Sequence, residues 1–414
     1  MASIDDEIQQ ALDTADGLIR AYVAWGEKVK VGETHNLVYS EVTEFVNFRV
    51  ETADSCLHLI KSNSVADALG LCRALLENYM LLMLMCRGRK YFRIVNLESK
   101  SPEDFKEHLE QQVRELEELR SRGEADALYV AKYPRAKRCL MYVFEGLTSE
   151  DEPDFFIPAH YFHFQEFMPE ALRLKDEEYF EYYPASGDER RMQKDRRREA
   201  DNLYRFYLSY DALRVCLELN EILDDGGTAL LEAHYTFLGK FLHPTHNAAR
   251  ELHANRNYLS GRAAIGMGKT YTKSATLLAA LYVTYLLAGI LDELVRFFEQ
   301  APKKYVDDAG TSELRTLVES VPGRFPYFWF LFNRPPLWDK YNFAIHHVED
   351  QELAAYGGYE QVPDSVVPFD SDISKHLESA LTAWGNNRVG AYNSPLADVN
   401  AAPKFILGFP VRRE

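Results

Sequence analysis

The stretch RAAIGMGKTYTKSATLLAALYVTYLLAGILDEL, residues 262–294, admits two folds. Ala263 to Thr270 fits the loose phosphate-loop pattern A/G-x4-G-K-S/T, and GILDE at Gly289 to Glu293 resembles the acidic magnesium motif that accompanies such loops. A working phosphate loop lies between a buried strand and a helix, so that backbone N–H groups converge on the phosphates. The upstream residues, ELHANRNYLSGRA, offer no such strand. Asp292 also falls on the helix that begins near Thr270, and about 20 intervening residues at 1.5 Å each place it roughly 30 Å from the loop. The stretch therefore reads as a glycine-containing loop leading into a long core helix, with Lys269 and Lys273 exposed near its start. Neither a nucleotide nor any other cofactor is expected.

Ser274 to Leu291 is free of charge, at the lower limit of length for a membrane span. Ser274, Thr276, Thr284 and Gly289 interrupt it and DELVRFF closes it, so a buried globular helix is expected and no membrane partner. The opening MASIDDEIQQ is acidic where an export signal is basic. Five widely spaced cysteines, Cys56, Cys72, Cys86, Cys139 and Cys216, form no C-x-x-C pair and read as buried thiols of a cytoplasmic protein.

With 414 residues, 46% of them hydrophobic, the chain has material for proper cores. Apolar residues at helical spacing mark residues 34–61, a second helix opens at SNSVADALG and runs towards Val95, and SPEDFKEHLEQQVRELEELRSR (101–122) is an exposed third. Ten Phe or Tyr residues fall between Pro153 and Tyr183, and ten of the 17 prolines lie in 302–414. The expected fold is all-α: a helical bundle over 1–301 with an aromatic-rich insertion at about 153–187, followed by a less regular Pro- and aromatic-rich helical region over 302–414.

A net charge of -17 excludes a surface that binds nucleic acid throughout but leaves room for a local basic site. ERRMQKDRRRE (189–199) supplies Arg190, Arg191, Lys194, Arg196, Arg197 and Arg198, read either as a nucleic-acid backbone contact or as a solvated helix face partnered by Asp195 and Glu199. RFPYFWFLFNRPPLWDKYNF (324–343) has nine aromatics in twenty positions, suited to base stacking, a core or a protein interface.

Two polar groups stand in apolar sequence. In ALGLCRALLENYMLLMLMC (68–86) the only charges are Arg73 and Glu77, four apart and able to pair on one helix face, either fixing the packing or lining a cleft. In YTFLGKFLHPTHNAARELHANR (235–256), Pro244 interrupts the helix after His243, while His246, Arg250 and His253 recur at helical spacing. No carboxylate or thiolate completes a metal set there and Arg250 repels a cation, so no metal is expected. Proton transfer beside a phosphate-holding Arg250 is the coherent chemistry, and plain surface histidines are the alternative.

RALLE followed much later by YTFLGKFLH resembles a group of bacterial helical proteins of the HEPN-like kind, which have R-x3-E on one helix and Tyr-x2-Leu-small-x3-His on a later one. The matching positions are Arg73, Glu77, Tyr235, Leu238, Gly239 and His243, within a helical order spanning about residues 35 to 300. The resemblance implies a homodimeric helical bundle directed at RNA in a toxin or antiphage defence system, with metal-independent endoribonuclease activity as its enzymatic form. The R-x4-6-H signature common in that family is absent here, RELH at Arg250 being too short, so Arg and His would come from different helices, Arg73 with His243. His243 would then exchange a proton with the ribose 2'-OH or the leaving oxygen, Arg73 would stabilise phosphate charge, Glu77 would orient Arg73, and Tyr235 and His246 would line the site. The alternative is a catalytically inert assembly or regulatory protein that binds a protein partner through its aromatic-rich segment.

Overall fold

A computed structural model of the chain describes residues 4–31, 37–88, 90–96, 128–130, 139–145, 209–242, 252, 270–301, 303, 305–369 and 372–388, with eight positions between 107 and 122. The fold is all-α, a multi-helix assembly with ten α-helices among the described residues. In chain order these are α1 (Ile4–Gly26), a short strand β1 (Lys30–Val31), α2 (Leu37–Lys61) and α3 (Val65–Arg87), then strands β2 (Lys90–Asn96), β3 (Leu128–Val130) and β4 (Cys139–Glu145). There follow α4 (Tyr210–Leu219), α5 (Asp225–Leu242), α6 (Lys273–Glu299), β5 (Val306–Asp308), α7 (Ser312–Arg324), α8 (Leu337–His347), α9 (Asp350–Tyr356) and α10 (Ile373–Arg388). They form two compact units, Met1–Tyr79 with Asp225–Glu414, and Met80–Asp224. The boundary expected at 301/302 coincides with neither unit's edge, because α7 and α10 pack on α6 within the first unit.

The stretch that opened the sequence reading is the core of that unit. Thr272 caps α6, its hydroxyl accepting from the Ala275 N–H at 3.2 Å, and 27 residues without proline follow. The most apolar stretch of α6 is 89% buried, so its length and hydropathy serve a protein interior. The helices α1, α2, α7 and α10 pack around it. Asp292 lies on α6 as expected and pairs with Arg296 at 2.7 Å. Lys273 is exposed and pairs with Asp5, while Lys269 lies outside the described residues.

The aromatic segment 324–343 is core. Phe325, Tyr327, Phe328, Trp329 and Phe330 are all buried, and the rings of Phe328 and Phe330 stand edge-on to Tyr282 and Tyr285 of α6. Asn333 closes the turn: its Oδ1 accepts from the Phe330 N–H, and its Nδ2 donates to the Phe328 carbonyl at 2.6 Å and to the Tyr285 hydroxyl at 3.2 Å. Of the apolar positions read on α2, Val42, Phe45, Val46, Ala53 and Leu57 are buried, whereas Phe48 is 59% exposed.

In the second unit, the helix expected to reach Val95 ends at Arg87, next to Gly88, a poor helix former. KYFRIVN instead pairs antiparallel with CLMYVFE, Lys90 opposite Glu145 through Asn96 opposite Cys139, and β3 joins the other edge of β4. The strand's partner is some 50 residues away, and cross-strand pairing, which stabilises such a segment, has no local signature. The described positions between 107 and 121 are helical and exposed, as read, and Ser209 caps α4 through the Ala212 N–H. The aromatic stretch 153–187 lies outside the described residues.

Beyond α6 the chain is fastened by Lys340, 8% exposed, whose ammonium donates to the Val362 carbonyl at 2.9 Å and pairs with Asp364. Replacing Lys340 with Ala leaves those acceptors facing a void and is expected to lower stability by roughly 2 kcal/mol, read from urea unfolding. An unchanged midpoint would show that the lysine fastens nothing.

Candidate functional site

Arg73 and Glu77 sit one turn apart on α3, and α5 crosses close by. Two glycines face the crossing, and one of them is required there. A Cβ on Gly70 would lie 3.6 Å from the Phe241 carbonyl oxygen, and one on Gly239 would lie 2.3 Å from Nη1 of Arg73. The guanidinium therefore occupies the space that any side chain at 239 would need. Three contacts hold it: Nε donates to Glu77 at 3.0 Å, Nη1 donates to the Tyr235 carbonyl at 3.4 Å, and Cζ stands 3.3 Å from the centroid of the Tyr235 ring. A charge this buried is tolerable only with such partners.

Exposure divides the cluster. The Arg73 side chain is 10% exposed, whereas that of Glu77 is 40% exposed and Tyr235 is half-buried. Burial raises the Tyr235 phenol above its ordinary pKa, Arg73 draws it back, and the neighbouring Glu77 carboxylate pushes it up again. The phenol therefore holds its proton at neutral pH. The chemistry available is that of a carboxylate and a protonated hydroxyl side by side over a fixed cation.

Four of the six positions that carry the HEPN-like resemblance, Arg73, Glu77, Tyr235 and Gly239, meet here, and Leu238 is core. His243 follows the last residue of α5 and lies outside the described residues, as do His246, Arg250, His253 and the basic set Arg190, Arg191, Lys194, Arg196, Arg197 and Arg198. His346 and His347 are exposed at the end of α8.

Two features escaped the sequence reading. His234, adjacent to Tyr235, is fully buried: its Nδ1 lies 2.7 Å from the Tyr282 hydroxyl and its Nε2 3.1 Å from the Trp329 carbonyl. The carbonyl can only accept, so Nε2 carries the proton and Nδ1 accepts from Tyr282. Burial pushes its pKa down to about 3. Only its place in an apolar helix (EAHYTFL) hints at this role. The second feature is a cleft of about 300 Å³ between the starts of α6 and α10, lined by Leu252, Ser274, Leu278, Asp372, Lys375 and Glu378. Its polar groups largely serve one another: Ser274 donates to Glu378 at 2.9 Å, and Asp372 accepts from the Lys375 N–H.

A scan against models of protein families, a search of curated proteins and a comparison with solved structures each return no match for this chain.

Gly239→Ala is expected to displace Arg73 and to lower stability by about 2 kcal/mol or more, seen as a reduced urea midpoint, since a methyl at 2.3 Å from Nη1 has no room. An alanine variant as stable as the parent would mean that the guanidinium has another seat. For His234 the sign follows from its lowered pKa. The unfolded chain, with an imidazole near 6.5, takes up a proton that the fold refuses down to about 3, so stability is complete above about pH 6.5 and declines between 6.5 and 3. From pH 7 to 5 the loss assigned to this residue is about 2 kcal/mol, at about 1.4 kcal/mol per pH unit. His234→Gln should be less stable at pH 7 yet lose that much less on acidification; equal losses in both proteins would refute the assignment.

Proposed function

We propose that this protein acts on RNA at the Arg73–Glu77–Tyr235 cluster, in the manner of HEPN-like helical proteins of bacterial toxin and antiphage systems. The observation that supports the reading is convergence. RALLE on α3 and YTFLGKFL on α5 resemble two halves of one pattern, and their polar members, Arg73 and Tyr235, touch across 162 residues of sequence. Two unrelated short matches have no reason to meet at a buried charge. In its enzymatic form the activity is metal-independent cleavage beside a ribose 2'-OH, for which Arg73, Glu77, Tyr235 and the sequence-adjacent His243 are the candidate groups. The basic run 190–198 would supply backbone contacts. The same reading carries a cytoplasmic homodimer without cofactor.

A partner-binding role through the 324–343 aromatics has less behind it, because most of those rings are spent on the core.

Purified protein incubated with single-stranded RNA in a chelator is expected to cleave it, and Arg73→Ala and His243→Ala are each expected to lower the rate about 100-fold or more. Undiminished cleavage in both variants would remove these residues as its source.

A further inference from the structure

The sequence reading gives Arg73 to the phosphate and leaves Glu77 to orient it. The geometry points the other way. The guanidinium has one face against the Tyr235 ring at 3.3 Å, Nε committed to Glu77, and Nη1 against the Tyr235 carbonyl and the Gly239 backbone, with a tenth of the side chain exposed. A bidentate phosphate contact needs an open edge of the fork. The accessible polar atoms of the cluster belong to its neighbours, the 40%-exposed Glu77 and the half-buried Tyr235.

We propose, resting on the RNA reading above, that Glu77 and Tyr235 are the groups that meet the substrate, as proton acceptor and proton donor, and that Arg73 is a positioning residue seated against Gly239. The substrate class is single-stranded RNA with a free 2'-OH beside the scissile phosphate. The 2'-OH passes its proton to the Glu77 carboxylate and the 2'-oxygen forms a bond to the adjacent phosphorus. The bond from phosphorus to the 5'-oxygen breaks, and that oxygen takes the phenolic proton of Tyr235. The proton on Glu77 then returns to Tyr235 by way of the solvent that reaches the 40%-exposed carboxylate, restoring both groups. The products are a 2',3'-cyclic phosphate and a 5'-hydroxyl end, with no metal, water or redox partner consumed. Arg73 acts through the other two: its Nε holds the Glu77 carboxylate in place and its face on the ring fixes where the phenol stands.

The test uses the full chain, a labelled single-stranded RNA and a chelator, with product ends identified and kcat and KM measured separately. Expected are cyclic-phosphate ends, a fall in kcat of about 100-fold or more for both Glu77→Gln and Tyr235→Phe, and for Arg73→Lys a fall of about tenfold in kcat with KM within about twofold. Tyr235→Phe keeps the ring over Arg73, so its melting temperature reports whether the seat survives; should Glu77→Gln not fold, Glu77→Asp takes its place. Full rate in either the Glu77 or the Tyr235 variant overturns the assignment, and if cleavage is then lost in His243→Ala, the RNA reading stands without it. A KM raised about tenfold in Arg73→Lys with kcat kept makes Arg73 the phosphate ligand and also overturns it. No cleavage by the unaltered chain overturns both the assignment and the ribonuclease reading beneath it.

Discussion

Burial of α6 from all sides is the constraint from which the first unit follows. A 27-residue helix offering Leu, Ala, Tyr and Val around its whole circumference has no polar face to turn to solvent, so other elements must cover each side. Helices α1, α2, α7 and α10 do so, and the aromatic turn of 325–333 fills a further sector with its rings. Hydroxyls on α6 are matched within this cover: Thr284 donates to the Ala280 and Ala11 carbonyls, and the Tyr285 hydroxyl donates to the Phe325 carbonyl while accepting from Asn333. Satisfied polar groups of this kind orient the cover, where apolar contact alone tolerates sliding.

Against that interior, the Arg73 cluster is an exception to apolar packing, and glycine makes it possible. Gly239 opens the space that the guanidinium fills. A leucine in place of Arg73 would satisfy the core with less risk, since a buried charge contributes little net stability even when paired. Lys340 shares the plan of a buried cation paired with a part-exposed carboxylate, Asp364, but its ammonium also donates to backbone carbonyls of the chain beyond α6, whereas the Arg73 guanidinium lies face-on to a tyrosine ring. His234, one residue from Tyr235, shows the contrasting use of a titratable group: neutral, fully enclosed and structural.

The legible parts of the sequence were those set by local periodicity. The length and uniform apolarity of 274–291 identified the central helix, and the four-residue spacing of Arg73 and Glu77 placed both on one face. Position within the fold was less legible. KYFRIVN continues an apolar run and becomes a strand only because CLMYVFE lies beside it. The meeting of Arg73 with Tyr235 was suggested by a motif resemblance, while the consequence, a guanidinium covered on its face and edges, depends on how closely two helices cross, which composition does not encode.

The first unit is assembled from two stretches of chain, Met1–Tyr79 and Asp225–Glu414, with the second unit's residues lying between them in sequence. α1 packs mainly on α6 and α7, with a smaller contact to α2, and about 250 residues separate Gly26 from Lys273. At roughly 5 to 20 residues per second, a ribosome delivers α6 some 10 to 50 s after α1 has emerged. For that interval the apolar faces of α1, α2 and α3 have no core to join, and the unit cannot close before synthesis has passed its central helix. The nascent chain is thus committed to a long wait with hydrophobic surface uncovered, a stage at which a chaperone's grip, or the rate of translation across residues 80–272, decides how much protein reaches the folded state.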